Sequence, residues 1–129
     1  MRRFRVLLVA LLVIGLAAAV DVSGVWSVSV SFEWLPTLTC SLRQDKGSGI
    51  SGTCSSGSTS VDIHGGKISD TSVEWTFEAP HATPTGASVV YSFRGTLSSD
   101  ALQMKGTVVG ADQSRSYPDQ HGTFTARRR

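Results

Sequence analysis

The chain is expected to fold as an all-β protein, an eight-stranded antiparallel up-and-down barrel with one disulfide, after an N-terminal signal peptide. Three observations predict it. Apolar and polar residues alternate with period two through most of the chain after Ala19, almost no segment carries helical spacing, and short turns rich in Gly, Ser, Asp and Pro separate the alternating runs.

The first element is a leader. Arg2, Arg3 and Arg5 precede an apolar run from Val6 to about Leu16, and Ala17, Ala18 and Ala19 fit an A-x-A cleavage site. The run falls short of the ~20 residues a spanning helix needs, so a cleaved signal peptide over residues 1–19 is expected rather than a retained anchor. No cysteine follows the run to take a lipid. Residues 20–129 then form a single β-barrel domain, long enough for one modest core.

Within that domain "GVWSVSVSFEW" gives the strongest strand signal. Trp26, Val28, Val30, Phe32 and Trp34 fall on one face and Ser27, Ser29, Ser31 and Glu33 on the other, as in a strand between core and water. Further along, "TLTCSLRQ" aligns Leu38, Cys40 and Leu42, "GISGTCSS" aligns Ile50, Gly52 and Cys54, and "SVDIH" adds Val61 and Ile63. A short "KISD" either forms a strand or ends the one before it. Then "SVEWTFEA" offers Val73, Trp75 and Phe77, and "ASVVYSFRGTL" offers Val89, Tyr91, Phe93 and Leu97. "ALQMKGTVVG" offers Leu102, Met104 and Val108, and "HGTFTAR" offers Phe124 and Ala126. Two connections are long, "PHATPTG" and the run from Ala111 to Gln120. Long loops at a barrel rim are where binding usually sits.

The only two cysteines lie in "CSLRQDKGSGISGTC". Pairing Gln44 with Ile50 across the turn "DKGSG" sets Leu42 opposite Gly52 and Cys40 opposite Cys54, on one face. Directly opposed strand residues bring Cβ atoms within reach of a bridge, and an exported chain meets an oxidising compartment. A redox pair would instead want C-x-x-C at a helix start. Cys40 and Cys54 are therefore expected to form a structural disulfide.

Gly-Thr recurs at positions 52, 95, 106 and 122, with each Gly on the core face by strand parity. Such glycines either line a ligand cavity or let strands coil while neighbouring rings fill the gaps. The inward residues are rich in rings, among them Trp26, Trp34, Trp75, Phe93, Phe124 and Tyr91. They form either an aromatic cup for a flat apolar ligand or a solid core, since eight strands close around an interior that side chains can fill.

Composition excludes several function classes. Three of the 12 Lys and Arg leave with the leader and three are the terminal Arg127, Arg128 and Arg129, so the remaining body is acidic and lacks the basic field nucleic acid binding requires. His64, His81 and His121 stand apart, none at metal-ligand spacing from another, and Asp62 and His64 sharing a face read as a solvated pair. G-x-S-x-G, P-loop and dinucleotide fingerprints do not occur. Glu74 and Glu78 fall on an outer face, where paired carboxylates have no cleft for glycoside chemistry. No catalytic residue, metal or cofactor is expected.

The "GVW" opening the first strand, the "SGT" of the third and the closing "GTFTARRR" resemble the small up-and-down barrels of the calycin group, the lipocalins and avidins. That resemblance implies an eight-stranded barrel with a binding mouth. It does not extend to biotin: avidins place polar residues after the first-strand Trp and a Tyr after the third-strand Gly-Thr, where this chain has Ser27, Val28 and Cys54. The opening "SGVW" with Cys40 and Cys54 in two early strands also resembles the periplasmic inhibitors of secreted metalloproteases. Those proteins insert a free N-terminal arm, and after the expected cleavage only Val20, Asp21 and Val22 would precede Ser23, too few for such an arm.

Together these readings predict an exported, non-catalytic, monomeric or weakly associating binding module, secreted or periplasmic, without a membrane span after cleavage. Its partner is expected to be a small apolar ligand in the barrel or, alternatively, an envelope or extracellular protein held by rim loops. The candidate binding residues are Trp26, Trp34, Trp75, Tyr91, Tyr117 and His121, the last two chosen because their loop mixes Tyr, Arg, Asp and His.

Overall fold

The computed structural model describes residues 21–129; the leader expected over residues 1–19 lies outside them. Eight strands follow in order: β1 (Gly24–Val30), β2 (Leu38–Gln44), β3 (Gly49–Ser56), β4 (Thr59–Ser69), β5 (Ser72–Ala79), β6 (Val89–Leu97), β7 (Gln103–Asp112) and β8 (Gln120–Arg128). Each pairs antiparallel with the next, and β8 pairs with β1 to close the barrel. The hairpin register places Gln44 against Ile50, Leu42 against Gly52 and Cys40 against Cys54, and the two sulfurs are bonded.

Alternation selects the buried face in every strand because one side of each faces the core. Trp26 and Val28 are fully buried while Ser29 is exposed. The runs "SVDIH" and "KISD" are a single strand. Ile63 and Ile68 both point inward although five positions apart, which strict period two forbids; an extra residue at Gly65, with φ of 60°, restores the parity, and the register of β4 against both neighbours shifts there.

Two inward expectations are corrected. Trp34 is 59 % exposed, because β1 ends at Val30 and the chain turns where the Leu35 amide donates to the Phe32 carbonyl, so parity no longer governs it. Leu102 is exposed because it precedes β7, in a turn where its amide donates to the Asp100 carboxylate at 3.0 Å.

The centre of the barrel is filled. Trp75 stacks on Phe93 at 5.0 Å between centroids, and Phe124 sets its edge against both rings. Inward glycines accommodate these rings: a Cβ on Gly95 would lie 2.7 Å from Phe124, and one on Gly122 would lie 2.7 Å from Phe32. At Gly52 and Gly106 a Cβ would collide with the carbonyls of Ser41 and Arg94 across the sheet. The Gly-Thr repeat therefore serves ring packing and close strand approach, and its glycines leave no hollow in the core.

One end of the barrel is sealed. The indole N–H of Trp26 donates to the Val22 carbonyl at 2.9 Å, and the Arg128 guanidinium lies 4.8 Å above the Trp26 ring. Arg128 also donates to the carbonyls of Ala101, Ser23 and Asp21, tying both ends of the domain together. Two of the three terminal arginines, Arg127 and Arg128, thus belong to β8.

Candidate functional site

Strand direction places four connections at the opposite end: residues 31–37, 57–58, 80–88 and 113–119. Three of these, with the ends of β6 and β7, enclose a cleft of about 480 Å³, inside the range of small-molecule pockets. Val89, Tyr91 and Gly110 line its barrel side, Ala82, Thr83 and Pro84 one flank, and Tyr117, Pro118 and Gln120 another, with Trp34 and Asp112 completing it.

The floor follows from β6 and β7. Tyr91 pairs with Gly110, and a Cβ on Gly110 would lie 3.0 Å from the Tyr91 ring, so the missing side chain gives the ring its seat. Tyr91 is only 3 % exposed, and it belongs to the cleft lining. From it a chain of rings runs both ways. Inward lie Phe77 at 5.4 Å and then Phe93; outward lies Phe32 at 6.3 Å, which stacks face to face on Trp34 at 4.9 Å and 6°. Packed rings of the core thus support an indole that stands in water at the mouth.

The wall carrying Tyr117 is held by one carboxylate. Asp112 ends β7 with 8 % exposure and accepts from the backbone amides of Ser114, Ser116 and Tyr117 at 3.0, 3.0 and 3.1 Å. The Ser114 hydroxyl lies 2.9 and 2.8 Å from its two oxygens. These donors, the Ser114 hydroxyl foremost and against the opposing effect of burial, hold the Asp112 carboxyl below the usual carboxylate range. The other flank is pinned by the Thr83 hydroxyl, which accepts from the Ala87 amide, and by His81, whose Nδ1 lies 3.1 Å from the Gly86 carbonyl.

Of the candidate binding residues, the structure brings Trp34, Tyr91 and Tyr117 together at this cleft. Trp26 lies at the sealed end and Trp75 in the packed centre, at 0 % and 1 % exposure, so neither reaches the mouth. His121 is exposed in β8 beside the cleft but does not line it. Sequence reasoning placed binding at the two long connections that hold Asp112 and the flank from Ala82 to Pro84 without singling out those residues, and it missed Gly110. The run "DQSRS" held a signal, an Asp followed by serines that can fold a turn onto it.

Other chemistry-bearing residues lie elsewhere. Glu74 pairs on the outer wall with Lys67 at 3.0 Å and Arg94 at 3.6 Å. Among the described residues no three His, Cys, Asp or Glu side chains converge on a metal site, and Asp62 and His64 are both exposed.

Fold and cleft define a class: a disulfide-bridged, closed eight-stranded antiparallel meander barrel, packed through its centre and open at one aromatic-lined end. No protein-family model, curated protein or solved structure matches the chain.

Proposed function

We propose that the protein is an exported, non-catalytic binding protein that takes a small, flat, largely apolar molecule into the open mouth of its barrel. The observation that carries this reading is the cleft itself: an exposed indole, 59 % accessible and backed by Phe32, stands over a site that Tyr91 and Tyr117 also line. An aromatic face held in water by a rigid stack gains from being covered, and a planar ligand covers it at little entropic cost because the site is preformed.

Binding is favoured over catalysis because the carboxylate in the cleft, Asp112, spends both oxygens on its own loop. Export is supported by the leader and by the Cys40–Cys54 bridge, which an oxidising compartment preserves. A calycin-like relationship is consistent with the barrel order and the binding end, and is part of the same proposal. The second reading, a rim that grips an envelope protein, draws on the exposure of both Trp34 and Tyr117, ring types common in protein interfaces.

Calorimetric titration with the neutral planar probe 2-naphthylmethanol separates the two. Saturable one-to-one binding, weakened at least tenfold in Trp34→Ala, is expected of a ligand cleft. Binding that Trp34→Ala leaves unchanged would leave the rim reading.

A further inference from the structure

The charges of the barrel are segregated along its axis. At the open end stand Glu33, in the β1–β2 connection, Glu78, next to the end of β5, Asp112, which ends β7, and Asp119, just before β8; Arg115 is the single Lys or Arg in the four connections there. The sealed end and the adjoining wall carry the basic excess, with Arg127, Arg128 and Arg129 joined by Arg43, Lys46 and Lys105, offset only in part by Asp21, Asp45, Asp70 and Asp100. A molecule near neutrality overall thus presents a negative mouth and a positive base. Clefts lined by one sign of charge with low-dielectric walls focus the field and concentrate the matching ion.

No Lys or Arg lines the mouth cleft, while three aromatic rings do. The faces of indole and phenol rings attract cations through their quadrupole, indole most strongly. Asp112 contributes charge without offering a free oxygen, because its lone pairs are filled by Ser114, Ser116 and Tyr117. Such a site suits a poorly hydrated cation better than a primary ammonium, whose strongly hydrated N–H donors call for a free carboxylate that Asp112 does not offer.

We infer that the ligand of the mouth is an organic cation, a flat apolar body bearing a quaternary or heavily alkylated ammonium seated against Trp34 and Tyr117. This inference deepens the binding reading of the mouth and rests on it. The remote acids draw the cation in, and the rings hold it.

The test is a matched series sharing one ring system: (2-naphthylmethyl)trimethylammonium, 2-naphthylmethanol and 2-naphthylacetate, titrated calorimetrically into the purified protein at low and high salt. The cation is expected to bind about tenfold or more tighter than the alcohol at low salt, with the carboxylate weakest. The preference is expected to narrow at high salt, as a field from acids beyond the cleft is screened. In Glu33→Gln/Glu78→Gln/Asp119→Asn, three exposed positions outside the cleft lining, the cation-to-alcohol ratio is expected to fall several-fold. Equal binding of alcohol and cation, a carboxylate that binds tightest, or a ratio unchanged in the triple variant would overturn the inference and leave the binding reading standing. Failure of all three probes to bind would overturn both.

Discussion

Replacing both cysteines, Cys40→Ala with Cys54→Ala, probes how much of the stability comes from constraining the unfolded chain. The bridge spans a sequence separation of 14 between directly paired residues of β2 and β3. Closing a loop of this length removes unfolded-state entropy worth about 3 kcal/mol. Both sulfurs are essentially inaccessible, at 0 % and 1 % exposure, so truncation also leaves voids that cost about 1 kcal/mol. Unfolding entropy near 2.1 cal/mol/K per residue, over roughly 110 residues, converts 3 to 4 kcal/mol into a fall in Tm of about 13 to 17 °C. The fold is expected to survive, because sixteen barrel edges are paired by backbone bonds around a closed ring and none depends on sulfur. Thermal unfolding by circular dichroism and calorimetry, with wild type in the presence and absence of reductant as companion, gives the number. A fall of less than about 4 °C would refute the reasoning, since it would put the bridge near 1 kcal/mol.

Three further outcomes are expected. Trp26→Phe loses a hydrogen bond to Val22 and exchanges the indole under Arg128 for a smaller ring, and should cost about 2 to 3 kcal/mol of stability measured by denaturant unfolding. Trp75→Phe should cost less than about 1 kcal/mol, because the Trp75 indole N–H is buried without a partner and removing it offsets part of the lost packing. For Asp112, whose folded pKa lies below the ordinary 3.8, the contribution of the carboxylate is complete at neutral pH and is lost as pH falls through that depressed value. Probe binding and amide protection at Tyr117 should therefore hold steady from neutrality through the ordinary carboxylate range and decline only below it; Asp112→Ala should show the weakened binding already at neutral pH, by at least severalfold.

Strand parity made most of the fold legible. "GVWSVSV" could bury Trp26, Val28 and Val30 against a core, and the single register that set Cys40 against Cys54 also fixed the β2–β3 hairpin. Parity says which side of the sheet a residue faces and nothing of its depth along the barrel axis. Trp26, Trp34 and Trp75 therefore looked equivalent, although one seals the base, one fills the centre and one stands at the mouth. It also has no authority beyond a strand's end, which is why Trp34 and Leu102 escaped it. The two long rim loops were visible as segments, but the way they fold around the cleft was hidden for a different reason. Asp112 and the Ala82–Pro84 flank act through loop conformation, built from amide and hydroxyl contacts to one carboxylate and to Thr83, and such contacts leave no periodic trace.

The central claim is that a small molecule enters at the end carrying Trp34, and the three tryptophans make it directly measurable. Their indole N–H groups give separate signals in a nitrogen–proton correlation spectrum, with the Trp34 signal assigned from Trp34→Phe. On titration with (2-naphthylmethyl)trimethylammonium, saturable shifts are predicted for the Trp34 indole and the Gly110 and Tyr117 amides, with the buried Trp26 and Trp75 indoles nearly still. Shifts confined to the Trp26 end or the outer wall, or no saturable shift at any tryptophan, would contradict it.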